Sequence, residues 1–186
     1  MAAERRGTRR NRPSAGPVGT GGEMSEREDL DRARELGRLL VARGWMLATA
    51  ESCTGGLIGH LLTELSGSSD FFTGGIISYS NEVKIHLLGV SEEDIRRHGA
   101  VSAQVARQMA QGARRVTGAQ VAVSVTGIAG PTGATPDKPL GTTFIGLSSP
   151  LGELTEQHQW PLDRTGNKLC SARRALDLVI ELLQER

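Results

Sequence analysis

Hydrophobic positions along the chain follow two spacings, and the switches between them mark out its elements. From Asp29, the residues Leu30, Ala33, Gly37 and Leu40 recur at three- and four-residue intervals, and Gly44 stands where a helix C-cap belongs. "WMLATAES" then reads as a buried strand running into a turn. Leu57, Ile58, Leu61, Leu62 and Leu65 form the apolar face of a second helix that ends at Gly67. "GGIISYS" is the next strand, and a helix capped by Asn81 follows it to about Leu88. "SEED" at 91–94 resembles a capping box with aspartate in place of the usual glutamate. Ser102 caps a longer helix whose Val105, Met109, Ala113 and Val116 face inward. "QVAVSVTG" and "TTFIGLSS" are strands, "ELTEQHQW" alternates weakly, as an edge strand does, and Ala172, Ala175, Leu176, Val179 and Leu183 stripe the last helix. Helices alternating with short β-rich runs predict an α/β layered domain.

Composition changes this picture mainly at the front of the chain. The first 23 residues carry five arginines, two prolines and five glycines and almost nothing apolar. Such a stretch cannot offset its ordering entropy by burial, which predicts a disordered tail over residues 1–24 and one folded domain over 25–186. A chain of 186 residues is long enough for a single hydrophobic core. A formal net charge of +1 and 3% aromatic residues argue against a nucleic-acid partner, since neither a basic field nor a base-stacking platform is present. Only the arginine-rich tail points the other way. Cys53 and Cys170 form no CxxC pair, and His60, His86, His98 and His158 show no metal-ligand spacing. The expectation is a reduced, cytoplasmic protein without metal or cofactor, and without an apolar run long enough to span a membrane.

Two glycine-rich turns follow strands directly, "ESCTGG" at 51–56 and "TGIAGPTG" at 126–133. Ser52, Thr54 and the Gly55 and Gly56 amides stand at the start of a helix, where an anion can be cradled. Thr126 and Gly127 end the other strand. Tight turns alone would also explain these glycines. Neither a P-loop nor a GxGxxG fingerprint is present.

"GSSDFFTGGIISYSNEVK" (67–84) places serines, Tyr79 and Lys84 around one strand. No GxSxG elbow is present, so a hydroxyl nucleophile here would need a base other than histidine. Lysine serves when its amine is neutral. Lowering it from ~10.4 to ~7–8 takes roughly 4 kcal/mol, most of which must come from burial. A solvated lysine and a serine helix cap are the plain alternative. Cys53 is the rival nucleophile, against the reading of a small buried hydrophobe. Arg164, in "PLDRTGN", is a candidate anion partner.

"TAESCTGG", "GSSDFFTGGIISYSNEVK", "GAVS" and "SVTGIAGPTG…KPLGTTF", in this order over residues 27–183, resemble the CinA C-terminal domain family, the nicotinamide-nucleotide amidohydrolases. The resemblance implies a single three-layer α/β/α domain with a central mixed sheet, of the stand-alone deamidase form. The implied reaction hydrolyses the carboxamide of nicotinamide mononucleotide to nicotinate mononucleotide and ammonia, with no cofactor and in a homodimer. It implies Ser69 as nucleophile, Lys84 as base and Tyr79 as an aid to proton transfer. Substrate contacts are implied for Ser52, Thr126 and Arg164. A non-catalytic nucleotide-sensing or protein-interaction module linked to competence or DNA repair is the alternative, and the intact Ser69, Tyr79 and Lys84 favour the enzyme.

Overall fold

The computed structural model describes residues 21–185, with side chains from Ser25 onward. The tail expected over 1–24 lies outside the described residues as far as residue 20. Residues 21–24 form the first turn of α1 (Gly21–Arg43), which starts earlier than the apolar periodicity suggests. The chain continues through β1 (Leu47–Glu51), α2 (Leu57–Thr63), a 3₁₀ turn (Ser68–Asp70), β2 (Phe72–Ile77) and α3 (Asn81–His86). Then come α4 (Glu92–His98), α5 (Ala103–Thr117), β3 (Val121–Gly127), β4 (Thr142–Ser149), β5 (Gly152–Gln159) and α6 (Arg164–Gln184).

Serine hydroxyls start three of these helices by accepting a first-turn amide: Ser80 from Val83, Ser91 from Asp94 and Ser102 from Val105. The cap of α3 is therefore Ser80 and not Asn81, which is already helical. Val116 also departs from expectation: the buried stripe of α5 stops at Ala113, and Val116 lies exposed in the last turn.

The five strands form one mixed sheet in the order β2-β1-β3-β4-β5. β1 runs parallel to β2 and β3, while β4 is antiparallel to both its neighbours. Its two faces differ in side-chain size. Leu47, Val121, Val123, Val125, Ile145 and Leu147 point to the side covered by α1, α2 and α6. Ala48, Ala50 and Ala122 point to the side covered by α5. These small residues let α5 sit close: Ser124 Oγ donates to the Ala106 carbonyl at 2.5 Å, and a Cβ on Gly146 would stand 2.4 Å from that oxygen.

The topology decides where loops meet. β1, β2 and β3 point the same way, and two antiparallel steps bring β5 back to that direction. The segments after these four strands therefore open at one end of the sheet, the place where α/β domains gather ligands. The Ser68–Asp70 turn precedes β2 and lies at the other end.

The β1–α2 loop is held by a buried carboxylate. α2 has seven residues and Gly56 at its N-cap, so no side chain caps it locally. Glu51 does so from the end of β1, where it is 1% exposed. Its carboxylate accepts from the amides of Gly56 (2.9 Å), Ile58 (3.1 Å) and Gly59 (3.0 Å). Closing so short a loop requires positive φ at Gly55 and Gly56, +65° and +101°, which glycine adopts without strain.

Glu51→Ala strands these amides and is expected to lower stability by about 3 kcal/mol, read as a lower urea midpoint; Glu51→Gln, which keeps one acceptor oxygen, is expected to lose less. On the other face, a Cβ on Gly112 would stand 2.1 Å from the Leu88 carbonyl. Gly112→Ala is therefore expected to cost about 1–3 kcal/mol, visible as a lowered Tm.

Candidate active site

Where the parallel strands end, a cavity of about 310 Å³ opens. Ser52 and Cys53 line it from the β1 end, Tyr79, Asn81 and Lys84 from the β2–α3 segment, and Thr126–Gly130 with Thr132 and Gly133 from β3 and its loop. Ala100 and Val101 form a further wall, and Arg164, first residue of α6, stands at the rim.

Among the described residues Lys84 is the largest fully buried side chain, at 1% exposure. Its position in α3 turns the amine back under the strand ends. There Nζ meets the Ser78 carbonyl at 2.5 Å, the Tyr79 carbonyl at 3.2 Å and Ser52 Oγ at 3.0 Å. Among the described residues no carboxylate pairs with it. Burial disfavours the ammonium form and brings the amine down to about 8, while the nearby Cys53 acts in the opposite sense.

This geometry changes which hydroxyl partners the lysine. Ser69 is exposed in the 3₁₀ turn before β2 and takes no part in the cavity. A strand of six residues, roughly 20 Å at 3.3 Å per residue, separates its turn from the segment that leads to Lys84. The expected Ser69–Lys84 pair does not form within the chain. Ser52, expected as a substrate contact, is the hydroxyl that touches the amine.

The other sequence-derived residues divide. Tyr79 meets Lys84 through its carbonyl; the residue is 65% exposed where it lines the cavity, and among the described residues its phenol makes no hydrogen bond to the amine. Thr126 lines the cavity, but its hydroxyl donates to the Ala100 carbonyl at 2.9 Å and so ties that wall in place. Gly127 lines the cavity too, with no room for a side chain: a Cβ would stand 2.8 Å from the Thr142 carbonyl. Arg164 stands at the rim and donates to the Gly130 carbonyl at 2.6 Å.

Thr54, Gly55 and Gly56 do not line the cavity. Among the described residues the buried Thr54 hydroxyl has no partner, and the Gly56 amide is taken by Glu51. The anion cradle expected at "ESCTGG" is thus filled from within the chain. Cys53 faces the cavity, and burial pushes its thiol up to about 11, but among the described residues the Lys84 amine is hydrogen-bonded to Ser52 and not to this thiol. Cys53 and Cys170 are free thiols. Among the described residues no helix is long and apolar enough to cross a membrane, and no group of His, Cys, Asp and Glu is arranged to hold a metal.

Sequence reasoning missed three contributors. Asn81 lines the cavity once Ser80 takes over the cap. Asn167 donates to the Ala129 carbonyl at 3.0 Å, fastening the β3 loop to α6. Glu51 clamps the serine-bearing loop; the signal was there, an acidic residue ending a strand just ahead of an uncapped helix.

Comparison with known proteins agrees with this architecture. The model of the CinA C-terminal domain family matches residues 29–183. A CinA-like protein of Salinibacter ruber is 49% identical over 86% of this chain, which spans only 37% of that protein. A protein of Enterobacter agglomerans named nicotinamide-nucleotide amidohydrolase PncC is 46% identical over 80% of this chain and 92% of its own length. The crystal structure of the competence/damage inducible protein CihA from Agrobacterium tumefaciens superposes with a TM-score of 0.81 at 40% identity, covering 83% of this chain and 95% of that one. A single mixed sheet between helical layers, a cavity at its parallel ends and these matches lead to one statement: the chain belongs to the CinA C-terminal domain family.

Proposed function

We propose that this protein is an amidohydrolase that converts the carboxamide of nicotinamide mononucleotide to the carboxylate, with Ser52 as nucleophile and Lys84 as its base. The observation that carries this reading is the Lys84 amine held 3.0 Å from Ser52 Oγ at the floor of the cavity. The name of the Enterobacter agglomerans relative supports the substrate class.

The two carbonyls make the arrangement directional. Carbonyl oxygens only accept, so the Ser78 and Tyr79 carbonyls fix two amine hydrogens. In the neutral amine no third hydrogen remains, and the lone pair faces Ser52 Oγ. The serine then donates its own hydrogen to nitrogen, which is the hydrogen bond that precedes proton transfer. Ser52 Oγ attacks the carboxamide carbon and Lys84 takes its proton. The C–N bond breaks as Lys84 returns that proton to the leaving nitrogen, releasing ammonia and leaving an acyl ester on Ser52. Water, deprotonated by the same amine, attacks the ester; Ser52 recovers its hydrogen from Lys84, and the acid leaves as its carboxylate with its proton lost to solvent.

The energetics favour an enzyme over a passive binding module. A buried lysine drawn from 10.5 to about 8 weakens the fold at neutral pH by about 3 kcal/mol, at 1.36 kcal/mol per pKa unit. A binding module gains nothing from that cost, whereas a general base does.

Ammonia release from nicotinamide mononucleotide separates the two serines. Ser52→Ala and Lys84→Met are expected to lower turnover at least 10³-fold, and Ser69→Ala is expected to stay within about twofold of the parent. Loss of activity in Ser69→Ala with retention in Ser52→Ala would overturn the assignment. The free-enzyme rate, kcat/KM, is expected to rise with pH to a midpoint near 8, where Lys84 loses its proton. Stability carries the same sign. The folded state binds fewer protons than the unfolded one between about 8 and 10.5, so the Lys84 contribution to stability improves as pH rises through that window. Lys84→Met is expected to abolish this slope and raise the urea midpoint at pH 7.

A further inference from the structure

The proposed chemistry leaves the anionic end of a nucleotide without an obvious partner. Lys84 must be neutral to act, so it cannot be the counter-charge of a phosphate. The first-turn amides of α2 are occupied by Glu51. Cations on the side of the cavity away from Lys84 have to be found elsewhere, and α6 supplies two.

Arg164 stands at the rim and commits Nη1 to the Gly130 carbonyl, leaving its other nitrogens for a ligand. Lys168 follows one turn later on the same helix face. It is half-buried, and among the described residues it makes no hydrogen bond and no ion pair. That sets it apart from the basic residues further along α6: Arg173 is paired with Asp29, and Arg174 with Glu156 and Glu181. An ammonium without a partner at this place has its donors available to an anion.

Its location fits that need. Lys168 Nζ lies 4.0 Å from the point where a Cβ on Gly55 would stand, so it rests over the loop that carries Ser52. Its charge also reaches the Cys53 thiol, which lines the cavity. Lys168 stands just outside the cavity lining, beside the Ser52–Cys53 stretch that forms part of it, and its flexible four-carbon stem gives it the reach to meet an anion held at the Arg164 rim.

We propose that Lys168 is a specificity-determining residue which, together with Arg164, holds the phosphomonoester of the substrate. This deepens the deamidase reading and rests on it for the identity of the substrate. A phosphate placed there is held from the α6 side, while the carboxamide lies toward Ser52 and Lys84. The pocket then selects nucleotides over the corresponding nucleosides through a charge that takes no part in the bond-breaking step.

The test uses the intact protein and the variants Lys168→Met and Lys168→Arg. Calorimetric titration with inorganic phosphate measures the anion site directly. Ammonia release gives the ratio of kcat/KM for nicotinamide mononucleotide to that for nicotinamide riboside, which lacks the phosphate. Lys168→Met is expected to weaken phosphate binding about tenfold and to lower the ratio about tenfold, the effect of one charge-assisted hydrogen bond; Lys168→Arg is expected to recover most of both. Phosphate binding and a substrate ratio unchanged in Lys168→Met would overturn the proposal, as would a parent protein that binds phosphate no better than this variant. If the parent releases ammonia from neither substrate, the deamidase reading fails. The phosphate titration then decides the anion site alone.

Discussion

Everything at the cavity depends on one buried amine kept among neutral oxygens. Lys84 Nζ faces two backbone carbonyls and a hydroxyl, and no carboxylate among the described residues. A carboxylate partner would have locked the ammonium form, since an opposite charge at contact favours ionisation. Carbonyl dipoles do less: they orient the amine without holding its proton. They are available because the sheet ends there. The Ser78 amide makes the last ladder-like bond, to the Glu51 carbonyl at 2.8 Å, and beyond it the chain turns into α3. The Ser78 and Tyr79 carbonyls, freed from sheet pairing, become the acceptors that hold the lysine.

Glu51 is the counterpart of that arrangement. It is a buried carboxylate next in sequence to the serine, and it would be the natural partner for a nearby lysine. Its oxygens are directed instead to three amides around the start of α2. One side chain thereby caps a helix too short to be stable alone, shapes the loop that presents Ser52, and keeps its charge off Lys84. The fold thus separates two buried ionisable groups by giving the acid a set of backbone donors and the base a set of backbone acceptors.

Most of the architecture was legible from periodicity. The strands over 47–51, 121–127 and 142–149 are apolar runs of the expected length, and the stripes of α5 and α6 stand out because one face is buried and the other wet. The site was less legible, and the choice of serine shows why. The resemblance implied Ser69, which stands 15 positions from Lys84 in sequence, whereas Ser52 stands 32 away. In a parallel sheet the relevant neighbours are the residues just past the C-terminal ends of adjacent strands. β1 and β2 are paired with Glu51 beside Ile77, so the loop leaving Glu51 meets the segment leaving Ile77. A residue before β2 is a strand's length away, however close in sequence. Which strands pair in parallel is set by long-range packing and leaves no local mark. Glu51 did leave a local mark, an acidic residue just ahead of an uncapped helix, but which amides it reaches depends on where α2 docks.

The charge on the proposed substrate acts on this arrangement in a definite direction. A pyridinium bound in the cavity brings a fixed positive charge toward Lys84. At 5 Å and an effective dielectric of 20, two like unit charges repel by about 3 kcal/mol, enough to lower the amine by roughly two further pKa units. Binding would therefore drive the base into its neutral form, and would tend to expel the proton if the enzyme meets the nucleotide while still protonated. After hydrolysis the carboxylate beside the ring would offset its charge, and the ammonium would become tolerable again. A phosphate lying next to Lys84 would cancel this effect by supplying the negative charge too early. The cations of α6 would matter for that reason: an anion held from the Arg164 side would keep the pyridinium as the charge nearest the base, so that the amine would be neutral when it has a proton to take.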